Sequence, residues 1–521
     1  MAVTTQAQVR VPASESAQFV QGINLTSATT LVIGSMIGSG IFIVSADIAR
    51  LVDSPALLIL AWVVTGFMTV VGALTYGELA AMMPKAGGQY VFLRESLGPL
   101  WGFLYGWSMF AVIQTGTIAA VGVAFGKFLG VLFPAISAEK WLWHIGHVPL
   151  WQVGPLKLGN MDVGLNSQNL VAITMVLLLT AVNVLGVKTG AIVQNIFTFS
   201  KTAALFGLVL IGAILGRNAE ALSQNFGHFW QNASFKTLHP VQAGVGPWVG
   251  LFTIIAVAQV GSLFSSDAWN NVTFTAAEVQ NPRRNLPLSL ALGTGLVTLL
   301  YIAANFVYLM VLPLHVDPHG TTVLARGIQY AADDRVGTAV MQQAFGASGA
   351  ALMAISILIS TFGCNNGLIL AGARIYYAMA KDGLFFRSVG RLHPAYKTPA
   401  VSLIVQALWT CCLCLSGSYG QLLDLTMFAV IIFYILTIGG LFVLRRTRPD
   451  VPRPYRALGY PVLPAIYIVI AIFIDVVLLR YKPQYTWPGL IIVLLGIPVY
   501  LFWSRSARAH GSAAELESEA G

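Results

Sequence analysis

The chain has 521 residues, of which 56% are hydrophobic and only 9% are charged, and its mean hydropathy is +0.75. A soluble domain usually carries about 25% charged residues, so this composition excludes an ordinary cytosolic enzyme, a disordered protein and a secreted disulfide-rich scaffold. The formal net charge of +9 is better explained by membrane orientation than by a nucleic-acid partner. We therefore expect an integral membrane protein.

Apolar runs that lack charged residues recur along the whole chain, and each is long enough to form a helix that crosses the hydrocarbon core, which takes roughly 20 residues. The runs are continuous rather than alternating, which argues against a β-barrel. In chain order they are 16–46, 54–77, 96–126, 163–187, 189–200 continued by 202–216, 237–266, 285–316, 336–373, 398–423, 425–444, 457–474 and 483–504. The sequence thus predicts an all-α fold with about twelve transmembrane helices.

The charged residues between these runs predict how the chain is oriented. Seventeen Lys and Arg residues fall in one set of connections and ten in the opposite set, and the richer set is expected to face the cytoplasm. Both termini are then cytoplasmic in a multi-pass protein of the cell membrane. Residues 1–21 have no apolar h-region and are interpreted as a tail rather than a signal peptide. All four cysteines lie inside apolar runs, so we predict no disulfides.

Two predicted helices carry a polar segment in the middle of the span. In helix 1 it is GSMIGSGIF at 34–42, and in helix 6 it is GSLFSSDAWN at 261–270. Unpaired backbone groups in hydrocarbon are so costly that such interruptions persist only where they line a cavity. Helices 1 and 6 begin two successive sets of five helices, and paired interruptions at matching positions are typical of inverted-repeat transporters.

The direction of helix 1 suggests what the interruptions bind. Its first half ends at mid-membrane in carbonyl groups and its second half begins there with N–H groups, which carry roughly half a unit of negative and positive charge. A carboxylate fits the N–H groups of Ser39, Gly40 and Ile41, and an ammonium fits the carbonyls around Met36 and Phe264. A free amino acid is therefore predicted; the alternative is that the glycines only kink two packed helices.

Short segments along the chain also match a known pattern. They are IGSGIF at 37–42, YGEL at 76–79, PKAGGQY at 84–90, GPLWGFLYGW at 98–107, GVK at 186–188, WN at 269–270, EVQNPRRNLP at 278–287, STFG at 360–363 and Arg374. Together they cover roughly residues 25–390, and they are more specific than a lone glycine motif. In these segments the chain resembles the amino acid–polyamine–organocation (APC) superfamily, within it the L-type amino acid transporter branch.

The resemblance implies a LeuT-type fold of two inverted five-helix repeats that works by alternating access. We expect a tail at 1–22, repeats at 23–216 and 245–446, two further helices at 457–506 and a tail at 507–521. The predicted substrate-binding residues are Met36, Ile37, Gly38, Ser39, Gly40 and Ile41 in helix 1 and Phe264, Ser265, Ser266, Asp267, Trp269 and Asn270 in helix 6. The resemblance makes Phe264 an aromatic lid over the substrate.

Two departures from the family limit what the resemblance implies. The family often has a tyrosine where this chain has Ser266, so a side-chain preference does not carry over. Vertebrate members use a cysteine in the loop after helix 3 to bond a glycoprotein subunit, and residues 134–165 contain none. We therefore expect no disulfide-linked accessory subunit.

Lys201 lies about 12 residues into helix 5, about 18 Å along its axis, where a lysine costs about 2.5–3.5 kcal/mol to insert. Sodium-independent members of the family carry a lysine here, where sodium-coupled relatives hold a cation that bridges helices 1 and 8. Tyr301 is its suggested hydrogen-bond partner. Lys201 could instead pair with a buried carbonyl for stability alone, or carry a coupled proton.

Four further charged residues also have predicted roles. Asp267 could bind a cationic side chain, but the commoner use of Asp at such a place is to cap the second half-helix, which we favour slightly. Glu78 and Glu278, near the cytoplasmic ends of helices 2 and 6, are candidates for an inner gate or for pairs that only stabilise the fold. Arg374 is expected to snorkel to the cytoplasmic surface. The expected partners of the two glutamates are Lys85, Arg283 and Arg284.

The leading functional hypothesis is secondary transport of L-amino acids, independent of sodium and by exchange. A proton-coupled symporter with the same fold is the nearest alternative, and an amino acid sensor is a third. We find no nucleophile–base pair, metal constellation or P-loop, so we predict neither an enzyme nor a cofactor, and no metal site.

Overall fold

The computed structural model describes residues 21–153, 156–185, 187–227, 229–230, 247–416 and 419–519. The predicted tail 1–22 thus lies outside the described residues except for its last two positions, and so do the predicted boundary 245 and residues 520–521. The helices are α1 (Leu25–Met36), α2 (Val44–Val52), α3 (Pro55–Met82), α4 (Gln89–Leu97), α5 (Pro99–Ser108), α6 (Gln114–Leu132), α7 (Ser167–Leu185), α8 (Val187–Ile214), α9 (Ala219–Gly227), α10 (Pro247–Ser265), α11 (Asn271–Phe274), α12 (Pro282–Val311), α13 (Val323–Arg326), α14 (Val336–Lys381), α15 (Ala400–Cys414), α16 (Tyr419–Thr447), α17 (Val462–Tyr481) and α18 (Pro483–Glu519).

Nine helical spans among the described residues are long and apolar enough to cross a membrane. One of them is formed by α5 and α6, which are joined by the π-turn Met109–Ile113. Three shorter apolar helices accompany them, namely α1, Gly250–Ser265 of α10, and α15. Two of the short ones are α1 and α10, the first halves of the helices in which the sequence predicts an interruption.

The structure departs from the all-helical prediction in one loop. Strands β1 (Trp141–Val153) and β2 (Leu156–Asn166) form an antiparallel hairpin between α6 and α7. The prediction rests on charge-free runs of about 20 residues, and the segment between α6 and α7 contains no run of that length. At the other end of the chain, α18 continues as helix through most of the predicted tail 507–521.

Close packing around α1 positions the site. Helix α12 packs closely on α1, since a Cβ on Gly293 of α12 would lie 2.7 Å from the Cβ of Val32 in α1. It also packs on α3, where Gly66 faces Thr298. At the start of α1, the Ile23 N–H donates to the Glu278 carbonyl (3.0 Å), and the Gln280 N–H donates to the Ile23 carbonyl (2.8 Å). The base of α1 is therefore tied to the segment that follows α11.

Candidate functional site

Helix 1 is interrupted where the sequence predicts. The α-helix ends at Met36, a 3₁₀ turn covers Gly40–Phe42, and α2 begins at Val44. Among the described residues, the backbone N–H groups of Gly38, Ser39 and Gly40 have no acceptor, and the buried Ser35 and Ser39 hydroxyls have no partner. A buried group of unpaired donors just before the 3₁₀ turn that leads into α2 favours an anion.

The carbonyl groups of the same interruption, in contrast, have donors from three other helices. A run of consecutive carbonyl oxygens thereby has hydrogen-bond donors from the protein, as the low-polarity surroundings require. The donors are Lys201 to Gly34, the Cys364 thiol to Ser35 (3.2 Å), the Tyr301 hydroxyl to Met36 (3.0 Å), and the Ser360 hydroxyl to Ile37 (3.2 Å) and Gly38 (3.3 Å).

Lys201 reaches the interruption from α8. Its side chain is 1% exposed, and its ammonium donates to the Gly34 carbonyl at the end of α1. No carboxylate lies within ion-pair distance of Lys201 in the part of the chain that the structure describes. The positive charge therefore faces the negative end of a helix, which is where a bound cation would also be stabilised.

Helix 6 is interrupted after Ser265, and α11 begins only at Asn271. The Tyr301 hydroxyl lies within hydrogen-bond distance of the carbonyls of both Met36 and Ser265 (3.0 and 3.1 Å), so it joins the two interruptions. Gly40 lies against Ser265, since a Cβ added to Gly40 would be 2.9 Å from the Ser265 Cα. The two unwound segments therefore meet backbone to backbone.

A cavity of about 20 Å³ lies between the two interruptions, with room for about one water molecule. Thr117 and Val121 of α6 and Cys364 and Leu368 of α14 complete its wall. The predicted residues that line it are Met36, Gly38, Ser39, Gly40, Phe264, Ser265 and Asp267. The predicted residues that do not are Ile37, Ile41, Ser266, Trp269 and Asn270.

A second cavity, also of about 20 Å³, adjoins the first through Thr117, Asp267 and Leu368. Asn270 lines it, and its side-chain N–H donates to Gln89 (2.9 Å). One wall comes from the third predicted helix and was not predicted from the sequence; it is formed by Tyr105, Met109, Ile113, Gln114 and Thr117. The signal that could have found it is the pair of polar residues at 114 and 117 within an apolar span.

The structure does not support the favoured role of Asp267 as a helix cap. Asn270 precedes α11 and makes no side-chain cap bond, whereas the Asp267 carboxylate accepts a hydrogen bond from Tyr434 of α16. Trp269 stacks on the Tyr434 ring at 5.3 Å and meets Tyr76 edge-on at 4.8 Å. This packing holds the unwound segment against α3 and α16.

The two glutamates near the predicted cytoplasmic side have partners other than those expected. Glu278 is bound by Arg374 of α14 (2.6 Å), and both side chains are buried. Arg374 therefore does not snorkel to the surface, because a buried carboxylate compensates its charge. Glu78, fully buried, is bound by Arg445 (2.6 Å) and Arg453 (3.3 Å). The cations that lie close to the two glutamates in the sequence are therefore not their partners, and that prediction was wrong.

Two interrupted helices that face each other inside a bundle of apolar helices define a membrane transporter. A family profile described as amino acid permease matches residues 23–502. The chain belongs to that family and is an integral multi-pass membrane protein, which confirms the predicted APC-type amino acid transporter.

Three similar proteins extend this finding. Human large neutral amino acids transporter small subunit 2 is 29% identical over 501 residues, covering 95% of this chain and 83% of that protein. The serine/threonine exchanger SteT of Bacillus subtilis is 27% identical over 487 residues, covering 92% and 95%. Human b(0,+)-type amino acid transporter 1 is 27% identical over 482 residues, covering 92% and 87%.

Proposed function

We propose that the protein exchanges L-amino acids across the membrane, independently of sodium and by alternating access. The observation that carries the proposal is the first interruption, where unpaired N–H groups lie beside a carbonyl end that Lys201 already occupies. A relative whose name describes a serine/threonine exchanger supports exchange.

The substrate α-carboxylate binds the N–H groups of Gly38, Ser39 and Gly40, where the start of α2 adds its positive dipole. The α-ammonium binds the carbonyl ends of α1 and α10, near Met36 and Phe264. Asp267 and Asn270 face the substrate side chain from the second cavity. One pair of interruptions thus binds both charges of a free amino acid.

Binding requires the two unwound segments to move apart, because a cavity of about 20 Å³ is smaller than any amino acid. Glu278 and Glu78 serve as the inner gate in this scheme, since their ion pairs join α14 to the end of helix 6 and α16 to α3. The bonds between Ile23 and the segment after α11 make α1 move with helix 6 on that side.

The proposed arrangement has twelve spans in all. Nine are the long apolar helical spans, and the other three include the shorter helices α1, α10 and α15. Residues 23–216 and 245–446 form the two inverted repeats. Both termini are cytoplasmic by the excess of positive charge on that side, and the β1–β2 hairpin then lies outside the cell.

No disulfide-linked accessory subunit is proposed. Cys364 lies in α14, and the other three cysteines, Cys411, Cys412 and Cys414, lie in α15. All four are thus within apolar helices, and Cys414, the last residue of α15, is fully buried.

Counterflow in proteoliposomes tests the proposal. Vesicles loaded with unlabelled amino acid should take up the labelled compound at the same rate in sodium or potassium buffer, and empty vesicles should take up little. A pH gradient should not drive accumulation into empty vesicles. If it does, exchange is wrong and proton coupling through Lys201 replaces it.

Replacing Lys201 by alanine is expected to reduce exchange at least tenfold. The substitution removes the donor to the Gly34 carbonyl and leaves that buried group unsatisfied, which costs about 1–3 kcal/mol. Counterflow with equal amounts of reconstituted protein measures the effect. Lys85→Ala, at an exposed lysine, is the control and should exchange normally; equal rates for the two variants would remove Lys201 from the mechanism.

A further inference from the structure

A larger cavity lies away from the candidate substrate site, between the end of α6, the short helix α13 and the start of α14. Its volume is about 490 Å³. Gly346, with a left-handed φ of 64°, divides α14 into a limb before it and a limb after it, and both limbs line the cavity. No step of the proposed transport cycle uses this space.

One wall of the cavity is polar and positively charged. It is formed by Thr321, Thr322, Arg326, Arg335, Thr338 and Gln342. Thr338 is only 5% exposed, yet its hydroxyl has no partner among the described residues. Such a group is expected to have a partner, and here it lines a cavity large enough to hold one.

The two arginines of this wall differ in how far their charge is compensated. Arg335 pairs with Asp333 (2.5 Å) and also donates to the Lys127 carbonyl (3.0 Å). Arg326 donates through Nε to the Gly320 carbonyl (2.8 Å), and no carboxylate of the described residues lies within ion-pair distance of it. A guanidinium that has no carboxylate partner can bind a phosphate group through two parallel hydrogen bonds.

The opposite wall is apolar and continues into the outer surface of the bundle. Ala347, Ala350 and Ala351 form it at the start of the second limb of α14. Leu352, the next residue, is 55% exposed on a helix that spans the membrane, so its side chain faces lipid. The cavity therefore has one polar wall and one apolar wall, and the apolar wall adjoins an exposed apolar side chain.

We propose that this cavity binds a membrane phospholipid. Its phosphate lies against Arg326, Arg335 and the Thr338 hydroxyl, and the upper part of its acyl chains lies along the alanine wall. A ligand that contacts both walls needs a polar head and an apolar body. A soluble anion has no apolar body.

The bound lipid stabilises the second half of helix 1, which is α2 and the 3₁₀ turn before it. The first limb of α14 is tied to α2, since Arg50 bonds Asp334 (2.6 Å) just before that limb. A Cβ on Gly337 would lie 2.8 Å from the Phe42 ring, so the same limb packs on the 3₁₀ turn of the interruption. We expect the lipid to raise the stability of the whole protein.

Thermal unfolding of delipidated protein in detergent tests this proposal without any transport assay. Added phosphatidylglycerol should raise the melting temperature, and diacylglycerol or inorganic phosphate alone should not. Arg326→Gln and Thr338→Val should each remove at least half of the rise. Arg217→Gln, at an exposed arginine outside the cavity, should keep all of it.

Native mass spectrometry gives a second measurement, in which wild-type protein should retain one phospholipid that Arg326→Gln loses. A rise in melting temperature with diacylglycerol would mean that the phosphate is not recognised. A full rise with inorganic phosphate would mean a site for a soluble anion. Either result, or equal lipid retention by wild type and Arg326→Gln, would overturn the proposal.

Discussion

Gly40→Ala is expected to reduce amino acid exchange to the background of empty vesicles while the protein still inserts and purifies. The added Cβ would lie 2.9 Å from both the Cα and the Cβ of Ser265, closer than carbon atoms approach without displacement. The two interruptions would have to separate, and the N–H groups of Ser39 and Gly40 would move away from the carbonyl ends. Counterflow and direct binding of labelled amino acid measure the loss.

The matched control for this substitution is Gly295→Ala in α12. A Cβ there has nothing within 4 Å, so the variant should exchange like the wild type. Ser265→Gly changes the same contact in the opposite direction. It removes a side chain instead of adding one, so Gly40 should not be crowded. Normal exchange by Gly40→Ala would show that the close approach of the two segments is not needed.

Glu278→Gln is expected to destabilise the protein by about 3–5 kcal/mol, because it leaves the buried guanidinium of Arg374 without its carboxylate. In the folded protein the two side chains are 5% and 2% exposed and 2.6 Å apart. The melting temperature of the purified protein in detergent should fall clearly. Arg374→Met should have an effect of similar size.

Two further variants distinguish this buried pair from an exposed one. Arg448→Gln removes one of the two arginine partners of Glu95, but Arg448 is 48% exposed, so the loss should be at most about 1 kcal/mol. The double variant Glu278→Gln/Arg374→Met removes both charges and should recover part of the stability. Equal melting temperatures for Glu278→Gln and Arg448→Gln would show that the buried pair does not support the fold.

The interruptions could be predicted because their signal is local. Glycine and serine at 34–42 and 261–270 stand out within apolar runs, and the cost of unpaired backbone in lipid makes such segments informative. The same local reasoning placed Lys201 at the middle of helix 5, where its long side chain reaches the end of α1.

Partners that are distant in the chain could not be predicted. Arg374 lies 96 residues from Glu278, and Arg445 lies 367 residues from Glu78. Nothing in the spacing of charges shows which helix ends meet, so neighbouring cations were the only candidates. The helix 3 wall of the second cavity was missed for a different reason: Met109 and Ile113 look like ordinary apolar residues of a span, and only the polar residues at 114 and 117 mark that face.

The central claim is that the two interruptions bind both charged groups of a free amino acid. Competition against a bound, labelled amino acid on purified protein tests it most directly, with the same amino acid supplied free, as its N-acetyl derivative and as its α-carboxamide. Only the free form is expected to compete, with each derivative at least a hundredfold weaker. Displacement by either derivative at concentrations near those of the free amino acid would contradict it.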